Sequence, residues 1–312
     1  MKKKWMVVSA TILLAISFGI IIILVQKKQR IVLSFEVANN IIQYTADLDG
    51  LYAVTTNGEV ICYPIYSTES YVLDKTDVIY CDMLHQILIK KNGDIFNNIT
   101  ATEEGDYIGT IPGAVSCSKF EEVITVLTDT GELYVTYNDL EEKYKVKFGH
   151  TETYDDWLKI NDFGEVKKVI VANYEIYVLN MQGEYYDCNF SIMPKKIEVD
   201  VNIADVYAHF DDGDYILDTE GNLYQCNGYI RCNCNKHNLI FGNYIKMDCF
   251  QELTRVKIDL SRGLALSKQN TLYVWAREFN KKGLGVHVEY IYDEIENFDY
   301  DDFFLGGDYI YS

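Results

Sequence analysis

The chain has 312 residues, 48% of them hydrophobic, with 26 tyrosines and only three prolines. Its formal net charge is −19; six of the 28 basic residues and none of the 47 acidic ones precede residue 31, so the remainder carries 22 bases against 47 acids. A body that acidic repels a phosphate backbone, which argues against nucleic acid as a partner, and the abundance of Tyr, Val, Ile and Phe favours pleated strands over disorder.

The first predicted element is a membrane anchor. Residues 5–25 contain no charged side chain. As a helix, this run spans about 32 Å, close to the thickness of a bilayer's hydrocarbon core. Lys2, Lys3 and Lys4 precede it, and Lys27, Lys28 and Arg30 follow. A cleaved signal peptide is the competing reading. Its best cut, after Ala15-Ile16-Ser17, would leave the apolar stretch Phe18 to Val25 on the mature chain. The segment is therefore expected to stay as a single-pass signal-anchor in the cell membrane. The short basic tail then places the N-terminus inside and the rest of the chain outside. Residues 1–30 form tail, anchor and linker, and residues 31–312 form the folded domain.

Beyond the linker the sequence repeats. Six segments share one pattern: AVTTNGEVI (53–61), LIKKNGDIF (88–96), VLTDTGELY (126–134), VLNMQGEYY (178–186), ILDTEGNLY (216–224) and ALSKQNTLY (265–273). Gly58, Gly93, Gly131, Gly183, Gly221 and Asn270 hold the same place in each. Four residues earlier stands an aliphatic side chain, and three residues later an apolar, mostly aromatic one. Gly and Asn supply the positive φ of a tight turn, so each segment predicts a β-hairpin. The turns recur every 35 to 52 residues along the chain. A period near 40 with several short strands per unit predicts propeller blades.

The last six residues, GDYIYS (307–312), match GDYILD (213–218) and stop before the expected turn. A strand within residues 30–36 is expected to supply the missing partner and close the ring, since an open edge would leave backbone groups unpaired. The expected architecture is all-β: a seven-bladed β-propeller preceded by one N-terminal transmembrane helix.

Upstream strands lengthen the repeat, as in DVIYCDMLHQILIKKNGDIF (77–96), VKKVIVANYEIYVLNMQGEYY (166–186) and IADVYAHFDDGDYILDTEGNLY (203–224). This pattern resembles the repeat of the regulator of chromosome condensation family. His85 stands where that repeat has its histidine, and LYVW (272–275) and LYQCNG (223–228) are similar to its end. The resemblance implies a propeller. It also implies a protein-binding role, since the family includes bacterial propellers that bind other proteins.

Few motifs carry chemistry. Cys226, Cys232, Cys234 and His237 cluster in a long inter-turn stretch. They are weak candidates for a metal site, because their spacing fits no standard ligand set. Disulfides or plain thiols are the alternatives. The acidic stretch 211–214 reads as a solvated turn. No nucleophile elbow, zinc-protease or phosphate-loop motif occurs, so no catalytic residue and no cofactor is expected. His85 and His209 read as strand residues. The expectation is a non-catalytic, membrane-anchored propeller that binds a protein or surface ligand, with stretches 138–165 and 227–255 as candidate recognition surfaces. The alternative is a membrane-anchored propeller enzyme acting on an extracytoplasmic polysaccharide or peptide.

Overall fold

The computed structural model describes residues 40–226 and 244–295, together with 32–33, 304–306 and 309–311. Within the two long stretches it omits 47–49, 65–68, 74, 173, 190–192, 210–212, 248–249, 251, 260–261 and 283–284. The fold is an all-β propeller. Among the described residues, six sheets of four or five strands follow one another along the chain, and a further sheet has three strands. Blade 1 runs over residues 41–72, blade 2 over 78–110, blade 3 over 114–160, blade 4 over 166–197, blade 5 over 203–246 and blade 6 over 253–295. The three-stranded sheet joins the two ends of the chain: Phe304–Gly306 pairs antiparallel with Tyr309–Tyr311, which in turn pairs with Val32–Leu33. The sequence expectation was an N-terminal strand beside the last one. The strand is there, and it runs parallel to its partner.

The core lies between the blades. In blade 2, Leu88 packs with Tyr52, Val54 and Val60 of blade 1. Its neighbours Ile87 and Ile89 pack instead with Ile124 and Val126 of blade 3. Side chains alternate across a strand, so one strand serves both seams. That is why the second strands read as continuous apolar runs. Gly50–Thr55 and Val123–Thr128 are buried at every position. Each fully buried Leu, Ile or Val contributes about 1.5–3 kcal/mol relative to exposure. Further clusters fill the seams between blades 3 and 4, 4 and 5, and 5 and 6.

The first strand of each blade lies against the first strand of the next, which makes these the inner strands. Phe304–Gly306 touches the inner strands of both blade 6 and blade 1. All six inner strands carry a bulge at the same register, after Ile41, Val78, Ala114, Val166, Ile203 and Leu253. A bulge adds local twist, which suits strands crowded around an axis.

The repeated turn has two functions. Gly58, Gly93, Gly131, Gly183 and Gly221 have φ between 75° and 88°, and Asn270 has φ 60°. At three of them the carbonyl also reaches the first strand of the next blade, and at Gly93 it reaches the connection that leads there. Val78 N–H donates to Gly58 (3.0 Å), Ile111 to Gly93 (2.9 Å), Val166 to Gly131 (2.8 Å) and Leu253 to Gly221 (2.9 Å). A Cβ on Gly221 would stand 2.6 Å from the Leu253 nitrogen in the first strand of blade 6. The glycine thus answers two demands, a left-handed backbone and a close inter-blade approach.

Three residues before the turn glycine, the repeat hides a cap. Thr55, Thr128, Asn180, Asp218 and, before Asn270, Ser267 are buried polar residues. Each accepts a hydrogen bond from the backbone N–H four residues on: Glu59, Glu132, Glu184, Asn222 and Thr271, at 2.8–3.1 Å. Short polar side chains satisfy turn donors in this way. In blade 2, where Lys90 holds the position, Asn92 caps Asp94 N–H instead at 3.1 Å.

The only helix among the described residues is the 3-10 turn Glu142–Tyr144. None of the described helices is long and apolar enough to cross a membrane, and the predicted anchor at residues 5–25 lies outside the described residues.

Candidate functional site

Of the candidate metal ligands, Cys226 ends the third strand of blade 5, paired with Tyr244 on the outer strand. Cys232, Cys234 and His237 lie outside the described residues. Among the described residues no three His, Cys, Asp or Glu side chains converge. Cys62, Cys81, Cys117 and Cys188 are present as buried thiols. Burial pushes the Cys117 and Cys188 thiols up, away from the thiolate form that binds metal or reacts.

The acidic turn at 211–214 is corrected in part. Asp214 is fully buried at the seam of blades 4 and 5. Its Oδ2 accepts the hydroxyls of Tyr185 (2.8 Å) and Tyr244. Phenol donors from two blades replace the water a solvated carboxylate would have. Residues 211 and 212 lie outside the described residues.

His85 is also relocated. It sits in the turn Met83–Gln86 between two strands, well exposed, with Nδ1 2.8 Å from Asp82. Burial alone would raise the Asp82 pKa. The hydrogen bonds and charge of His85 overcome that and hold the carboxyl below its ordinary range.

Ionisable groups on the inner strands tie blades together. Lys168 of blade 4 binds Asp205 of blade 5 at 2.8 Å and lies 4.2 Å from the Tyr207 ring centre. Burial lowers the Lys168 pKa against the opposing pull of Asp205. Burial also raises Tyr207, with Asp205 adding to it. On the same ring, Tyr80 donates its hydroxyl to the Cys117 carbonyl at 2.8 Å, and Ser118 accepts Val171 N–H at 2.8 Å. Each of these is a contact between neighbouring blades. The Lys168 ammonium has both an anion and a ring face as partners.

The most distinctive surface is the stretch 138–165, expected as a recognition loop. It folds back as a hairpin. Trp157–Ile160 becomes the fourth strand of blade 3, and Thr151–Tyr154 adds a fifth outside it. Trp157 fixes this hairpin. It is 1% exposed and packs with Ile87, Ile95 and Ile111 of the blade 2 side. Gly109, in the outer strand of blade 2, makes room for the indole: a Cβ there would stand 2.6 Å from Trp157 Nε1. Lys159 adds an ion pair to Glu132 at 2.5 Å. At the base, Asp162 accepts the backbone N–H groups of Gly149 (2.8 Å) and His150 (2.9 Å), and its Oδ1 lies 2.8 Å from His150 Nδ1. A shallow open depression lined by Gly149, His150, Thr151, Glu152 and Asn161 adjoins this point.

What the hairpin presents is exposed and acidic. All four residues of Thr151–Tyr154 are exposed, as are Asp155 and Asp156 in the turn beyond. The ring of Tyr154 rests edge-on against Tyr134, centres 5.7 Å apart. The sequence marked this region only by its length. Trp157 stands out as a Trp directly after an acidic pair and Gly109 as a Gly outside the turn register, but nothing in the sequence pairs them.

This arrangement defines a class: a β-propeller with regular inner strands and one elaborated blade. Solved structures share the fold. Prp20p of Saccharomyces cerevisiae, characterised for its binding to Gsp1p and histones, matches with TM-score 0.50 at 12% identity over 76% of this chain and 72% of its own. Yeast RCC1 (Prp20) bound to Kap60 gives 0.51 at 13% identity over 76% and 70%. A chain of the mitotic checkpoint complex gives 0.51 at 13% identity over 87% and 90%. At these identities the likeness is one of fold alone. No family model and no curated protein matches the sequence.

Proposed function

We propose that this protein is a membrane-anchored propeller that binds a protein or surface ligand outside the cell and catalyses no reaction. The observation that carries the binding role is the fifth strand of blade 3. A hairpin whose tryptophan is locked into the neighbouring seam, while every residue of its outer strand is exposed, is a rigid display of recognition groups. Propellers of similar fold bind protein partners, among them Gsp1p, histones and Kap60, which supports the same role here by analogy of fold. The uncharged run at 5–25 supports the anchor. The sheet joining both chain ends supports a seventh, incomplete blade as the clasp of the ring. Lys168 and Asp205 satisfy each other across a seam, so the ionisable pair on the inner strands is read as a strut and not as an acid–base couple.

The test is site-specific photo-crosslinking on intact cells. A benzophenone amino acid at Thr153 is expected to give a discrete adduct, and one at the exposed Lys268 of blade 6 none. Equal adducts from both, or none from Thr153, would overturn the assignment of the binding surface.

A further inference from the structure

The strand Thr151–Tyr154 ends its sheet. It pairs on one side with Trp157–Ile160, and among the described residues no strand pairs with its other side. The hydrogen-bonding parity of that outer side follows from the turn. Tyr154 and Trp157 flank the two-residue turn Asp155-Asp156, so they form the hydrogen-bonded closing pair. Asn161 N–H donates to the His150 carbonyl at 2.9 Å, which keeps the same alternation. The backbone groups of Glu152 and Tyr154 therefore face inward, and those of Thr151 and Thr153 face out. An extended segment laid alongside would find two residues with donor and acceptor presented together, the arrangement that strand addition uses.

Charge selects the occupant. Residues 138–165 hold eight acidic against four basic side chains. Three of those four bases, Lys143, Lys145 and Lys159, are held by Glu141, Glu142 and Glu132. Glu152 projects from the strand itself, with Asp155 and Asp156 exposed at its end. A new strand outside it would place a side chain opposite Glu152, where a Lys or Arg is favoured over an acidic residue. Another would fall near the Tyr154 ring, a platform for a guanidinium. A charged four-residue edge also guards against indiscriminate pairing, which is consistent with a strand that admits only a complementary segment.

We propose that the outer edge of Thr151–Tyr154 takes an extended Lys/Arg-bearing segment of a partner protein as an added strand of blade 3. This rests on the reading of blade 3 as the binding surface and specifies its chemistry.

The experiment uses the full chain in nanodiscs and a fluorescein-labelled octapeptide alternating Lys or Arg with Thr or Val, read by anisotropy. Saturable binding is expected, with affinity reduced about tenfold or more by Thr153→Pro, which removes an outward N–H and leaves the ladder to Trp157–Ile160 untouched. Glu152→Lys with Asp155→Lys is expected to weaken binding similarly. An unchanged affinity in Thr153→Pro would reveal adsorption to an acidic surface and overturn the proposal, as would the absence of saturable binding. Should Thr153→Pro fail to fold, amide exchange on the wild-type chain decides. The peptide must slow exchange at Thr151 and Thr153, and no slowing overturns the idea. A partner that still crosslinks from Thr153 while exchange is unaffected binds through side chains; strand addition then fails and the broader assignment stands.

Discussion

The inner strands and the outer strands of this propeller obey different rules. The inner three strands of each blade are near copies. They share one bulge register, one turn with a positive φ and, in five of the six, one buried cap. The outer strands share little. Blade 1 ends on the two residues Tyr71–Val72, blade 6 on the eleven of Gly285–Ile295, and among the described residues blade 3 alone has a fifth strand. The difference teaches where the constraint lies. An inner strand must fit a neighbour on each side and is tied to the next blade by backbone hydrogen bonds. An outer strand answers mainly to its own blade and to water, so it is free to vary and to bind.

The largest expected effect breaks a place where an outer strand packs into a seam as inner strands do. Trp157→Ala should cost about 3–5 kcal/mol in chemical denaturation, because the indole fills a seam. Tyr107, 59% exposed on the outer strand of blade 2, should cost under about 0.5 kcal/mol when cut to Ala. Equal losses would show that the hairpin is not pinned through Trp157.

A finer comparison separates the two demands on the turn glycine. Gly221 and Gly183 both have a left-handed backbone. A Cβ on Gly221 meets the Leu253 nitrogen of the next blade at 2.6 Å, whereas one on Gly183 meets nothing nearer than 3.9 Å. Gly183→Ala should cost about 1–2 kcal/mol for φ alone. Gly221→Ala should cost more, about 2–4 kcal/mol, since the seam must also open. Matching values would show that the inter-blade approach is not what the repeat protects.

The smallest effect concerns acid. The Asp82 carboxyl is held below its ordinary range by His85. Its stabilisation is complete above the normal carboxylate range and is lost as pH falls through the depressed folded value. Asp82→Asn should therefore lower stability by about 1 kcal/mol near neutrality and flatten the slope of stability against pH in the acid limb. A parallel pH profile would remove the pair from the account.

Much of the inner architecture was legible. Six turns and their flanking apolar residues could be read from register alone, because a hairpin is a local object and glycine at positive φ leaves a mark in the sequence. The cap three residues before the turn is present in the sequence as Thr55, Thr128, Asn180, Asp218 and Ser267, yet no single residue type marks it. The chemistry is shared by Thr, Asn, Asp and Ser, so the identity changes while the function persists. The stretch 138–165 was legible only as an interruption. Its pairing joins Trp157 to Gly109, 48 positions apart, and neither residue marks the other.

What the sequence determined by itself is the set of local instructions: alternation of apolar residues, turns that require Gly or Asn, and an acidic surface that repels polyanions. These act within a few residues and are encoded in place. Tertiary structure alone decided which surfaces met. It turned Asp214 inward to face tyrosines from two blades, and it pinned the hairpin of a long connection beside blade 2 through Trp157. Each outcome depends on contacts between distant segments, whose energies exist only once the blades have closed upon one another.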